Sequence, residues 1–133
     1  SILDLSDLGK QPMYFKNLSI VLNGEIYNYK NIQKELETLG YSFNSSSDTE
    51  VVLKSFHAWG MDCVKKFVGM FSFGIFDSQK ELLSLCRDRL GVKPLYWYQD
   101  ENQFIFGSEL KVLFSTKTFS AKVDPTSLAT FIN

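Results

Sequence analysis

His57 is the single histidine of the 133-residue chain, and Cys63 and Cys86 are its only cysteines. A Cys/His zinc site needs four such ligands, and the spacing from His57 to Cys63 puts the two on different sides of any helix, so no metal site is expected. The cysteines lie far apart and form no CxxC pair, which signals neither a disulfide framework nor a cysteine metal centre. Two buried, reduced thiols are the expectation. An excess of one charge is also lacking: 14 Lys and Arg stand against 15 Asp and Glu, with no basic block to neutralise a row of phosphates. Nucleic acid is therefore not expected as a partner. No stretch approaches the about 18 uninterrupted apolar residues that a membrane helix needs. The first residues, Ser1-Ile2-Leu3-Asp4, place no basic segment before an apolar run, so the chain reads as soluble and intracellular, with no membrane partner.

What is present is core material. Apolar residues make up 44% and include 12 Phe, 6 Tyr and 2 Trp, enough for one packed domain at this length. Leu18 to Leu22 is an apolar run that suits a strand buried on both faces, and Asn23-Gly24 after it predicts a tight turn. From Asn28 onward, Ile32, Leu36 and Leu39 recur at helical spacing, and Gly40 stands where a left-handed cap would end the helix. Tyr41 to Phe43 reads as a short extended piece. Asn44 to Asp48 reads as a polar loop whose last residue caps a second helix, with Val52, Phe56 and Trp59 on one face and a further helical turn from Met61 to Phe67. Phe71 to Ile75 and Leu82 to Cys86 predict a hairpin, as do Tyr96-Trp97-Tyr98 and Phe104-Ile105-Phe106. Helices are also expected after Ser108 and from Asp124 onward. This order argues for an α+β class, a sandwich of antiparallel sheets flanked by helices.

Local chemistry leaves alternatives open. Asn23-Gly24-Glu25 after a buried strand offers a side-chain amide beside a glycine N–H, as an oxyanion hole requires, yet Asn-Gly is equally a hairpin turn. Asp48 is a helix cap or a ligand for an ammonium group. The segment Arg87 to Tyr96 is a solvated turn or an ion-pair network that extends a strand.

Asn23-Gly24-Glu25-Ile26-Tyr27-Asn28, Ser47-Asp48-Thr49-Glu50-Val51, Gly69-Met70-Phe71-Ser72-Phe73, Arg87 to Tyr96 and Ser108-Glu109-Leu110-Lys111 stand in this order. Together they resemble the glutaminase domain of glutamine-dependent asparagine synthetases, which are class II amidotransferases. The likeness runs from Ser1 to about Phe114. Sugar-phosphate and phosphoribosyl amidotransferases share the general pattern, but the first and fourth segments look most like the asparagine synthetase branch.

The resemblance implies a four-layer αββα sandwich of antiparallel sheets, the N-terminal nucleophile hydrolase fold, lacking its N-terminal strands. Residues 1–133 would be a partial type 2 amidotransferase domain. It also implies an enzyme: an N-terminal cysteine, with its own α-amino group as base, hydrolyses L-glutamine to glutamate and ammonia. The ammonia passes to a separate synthetase domain, where ATP-activated aspartate becomes asparagine. This domain would need no cofactor, and ATP and magnesium would belong to the synthetase domain. Position by position, Asn23 and Gly24 match the oxyanion hole, Glu25 and Asp48 match contacts to the glutamine α-amino end, and Ile2 and Leu3 match pocket-lining positions. The nucleophilic cysteine and the arginine that grips the substrate carboxylate would lie upstream of Ser1, so this piece alone is expected to be inactive. Ser1 falls in the pocket-lining segment and is not taken as a nucleophile. Other readings are the glutaminase domain of an amino-sugar or surface-polysaccharide amidotransferase, and a non-catalytic glutamine-binding or regulatory module. A cytoplasmic location is expected, and a homo-oligomer could form through a strand edge left bare at Leu18 to Leu22.

Overall fold

The computed structural model describes residues 11–88, 96–99, 104–107 and 122–123. Strand β1 (Met13–Phe15) leads into β2 (Leu18–Ile26), and helices α1 (Tyr29–Thr38) and α2 (Asp48–Trp59) follow. A 3-10 helix (Gly60–Lys66) then precedes β3 (Gly69–Asp77), β4 (Leu82–Arg87), β5 (Tyr96–Gln99), β6 (Phe104–Gly107) and β7 (Lys122–Val123). One sheet has the order β1-β2-β3-β4-β7, and β5 with β6 forms a separate hairpin in which Trp97 stands opposite Phe106. The pairing is antiparallel except for β7, which lies parallel to β4 over two residues.

Period-two alternation decides what each face of the sheet buries. Leu18, Ile20, Leu22 and Ile26 of β2, Phe71, Phe73 and Ile75 of β3 and Cys86 of β4 share one face and join Ile32, Leu36 and the Val51-Val52-Leu53 run of the helices in a single core. Val21, Leu83 and Leu85, on the opposite face, are buried as well. The expected two-sided burial of Leu18 to Leu22 is thus observed. Helix α1 ends in a Schellman arrangement: Gly40 has φ +99°, its N–H donates to Glu37 O, and Tyr41 N–H donates to Leu36 O. Leu39 lies beyond the last helical residue and is exposed, contrary to its expected place on the apolar face. The Asp77 carboxylate takes hydrogen bonds from Gln79 N, Lys80 N and Asn17 Nδ2, which builds the predicted β3–β4 turn.

Two other expectations fail. No turn occurs at Asn23-Gly24, because β2 runs on to Ile26 and all nine of its residues stand opposite β3. Also, Leu18 to Leu22 is not a bare edge. β1, which the sequence pattern did not reveal, covers Leu18 to Ile20, and the Gln11 side chain serves Leu22 as a strand would, accepting from its N–H (2.7 Å) and donating to its carbonyl (2.8 Å). Ile2, Leu3, most of the Arg87 to Tyr96 segment and the helices expected after Ser108 and Asp124 lie outside the described residues. Among the described residues no helix is long and apolar enough to cross a membrane.

Candidate functional site

The far end of β2 gathers the chemistry. Gly24 sits opposite Phe71 with φ +108°, and a Cβ there would lie 2.0 Å from Met70 O. Only glycine fits, both for its backbone angle and for the closeness of β3. Two positions earlier, Leu22 turns its N–H and carbonyl to Gln11, away from β3. Ladder alternation directs the Gly24 N–H to that same edge. Asn23 lies on the face opposite the helical core, in one cross-strand row with Ser72 and Arg87. A side-chain amide and an outward glycine N–H are thus neighbours at an irregular strand edge, and the hairpin-turn alternative is excluded.

Asp48 is not a helix cap. Ser47 takes that place, its hydroxyl accepting from Thr49 N at 3.0 Å, and Asp48 is the first helical residue. The sequence carried this signal, since Ser47-x-x-Glu50 has the spacing of a capping box. Glu50 does not close the box. Its carboxylate instead accepts from Asn44 N, Ser45 N, Ser45 Oγ and Lys54 Nζ. Freed from capping, the Asp48 carboxylate crosses to β2 and accepts from Ile26 N at 2.9 Å. Burial pushes the Asp48 carboxyl above its usual range and the negative charge of Glu25 adds to the push, outweighing the hydrogen bond from Ile26. Asn23, Gly24, Glu25 and Asp48 are therefore brought to one region. A cation between Glu25 and Asp48 would relieve both the repulsion and the desolvation.

Residues that the sequence reading left out of the site hold this region in shape. Asp88 brackets Phe71, the residue opposite Gly24: its carboxylate accepts from Phe71 N and its own N–H donates to Phe71 O. Gly69 lets β3 approach Glu25, for a Cβ there would lie 2.0 Å from Glu25 O. Neither role has a local sequence signature, because each depends on which strands are neighbours. Cys63 and Cys86 are free, buried thiols; burial raises both, that of Cys86 to about 12, so neither is an activated nucleophile. Among the described residues no cluster of three or more His, Cys, Asp and Glu is placed to hold a metal ion.

The family model described as a glutamine amidotransferase domain matches residues 1–133. Asparagine synthetase [glutamine-hydrolyzing] 3 of Bacillus subtilis is 42% identical over 91% of this chain, and asparagine synthetase B [glutamine-hydrolyzing] of Escherichia coli is 38% identical over 85%. The chain spans only 20% and 21% of those relatives' own lengths. Among solved structures, glutamine phosphoribosylpyrophosphate amidotransferase from B. subtilis superposes with a TM-score of 0.66 over 87% of this chain and 28% of its own, at 22% identity. At that identity the likeness shows the fold, which is the α+β fold of the N-terminal nucleophile amidotransferases.

Proposed function

Because the chain belongs to the glutamine amidotransferase domain family, matched along residues 1–133, we propose that it is part of a glutamine-hydrolysing asparagine synthetase and binds the substrate glutamine at the end of β2. In this reading Asn23 Nδ2 and Gly24 N–H donate to the oxyanion that develops on the glutamine side-chain carbonyl. Donors held by a strand need no reorganisation as the charge appears. Glu25 and Asp48 take the substrate's ammonium group, and Ile2 and Leu3 line its pocket. The observation that carries the reading is the hydrogen bond from Ile26 N to Asp48, which brings a desolvated second carboxylate to Glu25, beside the Asn-Gly pair. Holding the substrate at its ammonium end fixes its amide against the donors, so binding energy is spent on orientation. The nucleophilic cysteine, and a synthetase portion that uses ATP and magnesium to activate aspartate, are assigned to the parts of the relatives this chain does not span. A cytoplasmic location belongs to the same proposal.

The test uses the intact protein with glutamine, aspartate and ATP. Asn23→Ala should slow glutamine hydrolysis by roughly 100- to 1,000-fold in kcat, as loss of one oxyanion donor does. Synthesis from free ammonia should persist. Equal collapse of both rates would make Asn23 a structural residue, and absence of asparagine in the wild-type reaction would point to a different ammonia acceptor.

A further inference from the structure

The segment Asn23 to Ile26 has to hold its backbone rigidly for Glu25 and Asp48 to converge, and one side chain just beyond it ties down the strand beside it. Asn28, at the N-cap of α1, makes no cap hydrogen bond. Its amide is used elsewhere: Nδ2 donates to Lys66 O at 2.8 Å and Oδ1 accepts from Val68 N at 3.0 Å. One planar group thereby fixes both ends of the link between the 3-10 helix and β3. Directly beside it, Tyr27 N donates to Val68 O at 2.7 Å, and the next pair inward is Ile26 opposite Gly69. Lys66 is anchored a second time, its Nζ lying 2.7 Å from Glu35 Oε1 and over the Trp59 ring. The clamp thus sets where β3 starts, and β3 starts at the glycine that the Glu25 carbonyl abuts. Ile26, whose N–H holds Asp48, is the third residue of the same unit.

We infer that Asn28 is a positioning residue for the ammonium subsite: by clamping Lys66 and Val68 it fixes the β2–β3 end on which Glu25 and the Asp48 anchor depend. The inference rests on the amidotransferase reading above. The clamp needs an acceptor and a donor on one short planar side chain, so no apolar or longer residue can replace asparagine.

The test compares glutamine with its analogue lacking the α-amino group, on the intact protein. Asn28→Ala should lower kcat/KM for glutamine by roughly 10-fold, the scale of two lost hydrogen bonds, mainly through KM. The deamino analogue, which cannot use the subsite, should be hydrolysed by wild type and variant at nearly the same kcat/KM. Val68→Pro removes the N–H given to Asn28 Oδ1 while leaving the Asn28 side chain in place, and should show the same selectivity to a smaller degree. Ile32→Val, which loosens the core under α1, should affect both substrates alike. Equal losses on both substrates for Asn28→Ala and Val68→Pro would reduce Asn28 to a fold-maintaining residue and overturn the inference. A wild type that hydrolyses glutamine and responds to Asp48→Asn but not to Asn28→Ala overturns the inference alone. A wild type that never hydrolyses glutamine overturns the amidotransferase reading and the inference with it.

Discussion

Asp48 shows why a residue's identity does not reveal its work. Aspartate ahead of a helix is a good cap, but here Ser47 caps and Asp48 is held, partly buried, against Ile26 and near Glu25. Its folded-state pKa is raised above the unfolded value near 3.8, so the folded chain binds its proton more tightly than the unfolded chain does. Stability therefore falls as pH rises through that window, and the cost persists at neutral pH. Asp48→Asn keeps an oxygen for Ile26 N–H and removes the buried charge. It should not lower Tm at pH 7, while KM for glutamine should rise about 10- to 100-fold through loss of a charge-assisted contact. Thermal melts and steady-state kinetics on the same preparation check this. A lower Tm with unchanged KM would make Asp48 structural.

At the scale of the element, α2 is engulfed more than it is amphipathic. Val51, Val52, Leu53 and Ser55 are fully buried, and Glu50 and Lys54 nearly so. The last two form a 2.7 Å ion pair one turn apart, and the Lys54 ammonium also lies over the Phe15 and Phe43 rings. This pair ties α2 to the loop before it, because Glu50 gathers Asn44 and Ser45 while Lys54 donates to Ser42 O. Removing one partner strands the other's charge, so Lys54→Ala should destabilise the protein by about 3–5 kcal/mol in urea titration. Burial pushes the Glu50 carboxyl upward, but the hydrogen bonds from Lys54, Ser45 and Asn44 outweigh it and bring it below 4.5. That contribution is complete above pH 4.5 and is lost as pH falls through the folded-state value. The Lys54→Ala penalty should accordingly shrink on acidification, and a penalty independent of pH down to 3 would show that packing rather than charge is at stake.

For the whole molecule, the described residues cover the β2 edge of the larger sheet in two ways. β1 covers only the start of β2, and the Gln11 amide takes over at Leu22. A side chain that imitates a strand blocks pairing with another copy at little cost in chain length. Gln11→Ala should cost about 1–3 kcal/mol for the backbone groups it leaves unpaired and should promote self-association, measured by urea titration and light scattering. A variant with unchanged association state and stability would show that the edge needs no such cover.

How much of this was legible beforehand divides by the range of the interaction. Periodicity and turn chemistry are local, so the sequence determined α1 with its Gly40 terminus, the β3–β4 hairpin around Asp77, the β5–β6 pairing, and the buried strand from Leu18 to Leu22. The grouping of Asn23, Gly24, Glu25 and Asp48 was also readable, though only by likeness to a family, since each residue taken alone had an ordinary structural explanation. Tertiary structure decided between those explanations. It carried β2 through Asn23-Gly24, because β3 continues opposite it and its backbone at Met70 comes close enough that only glycine fits at position 24. It sent the Asp48 carboxylate to Ile26, because the start of α2 packs beside the end of β2. It gave Gln11, Asn28, Gly69 and Asp88 their tasks, each of which is a hydrogen bond or close approach to a segment distant in sequence. A residue's partner across such a distance is set by the packing of whole elements, which no local pattern of residue types encodes.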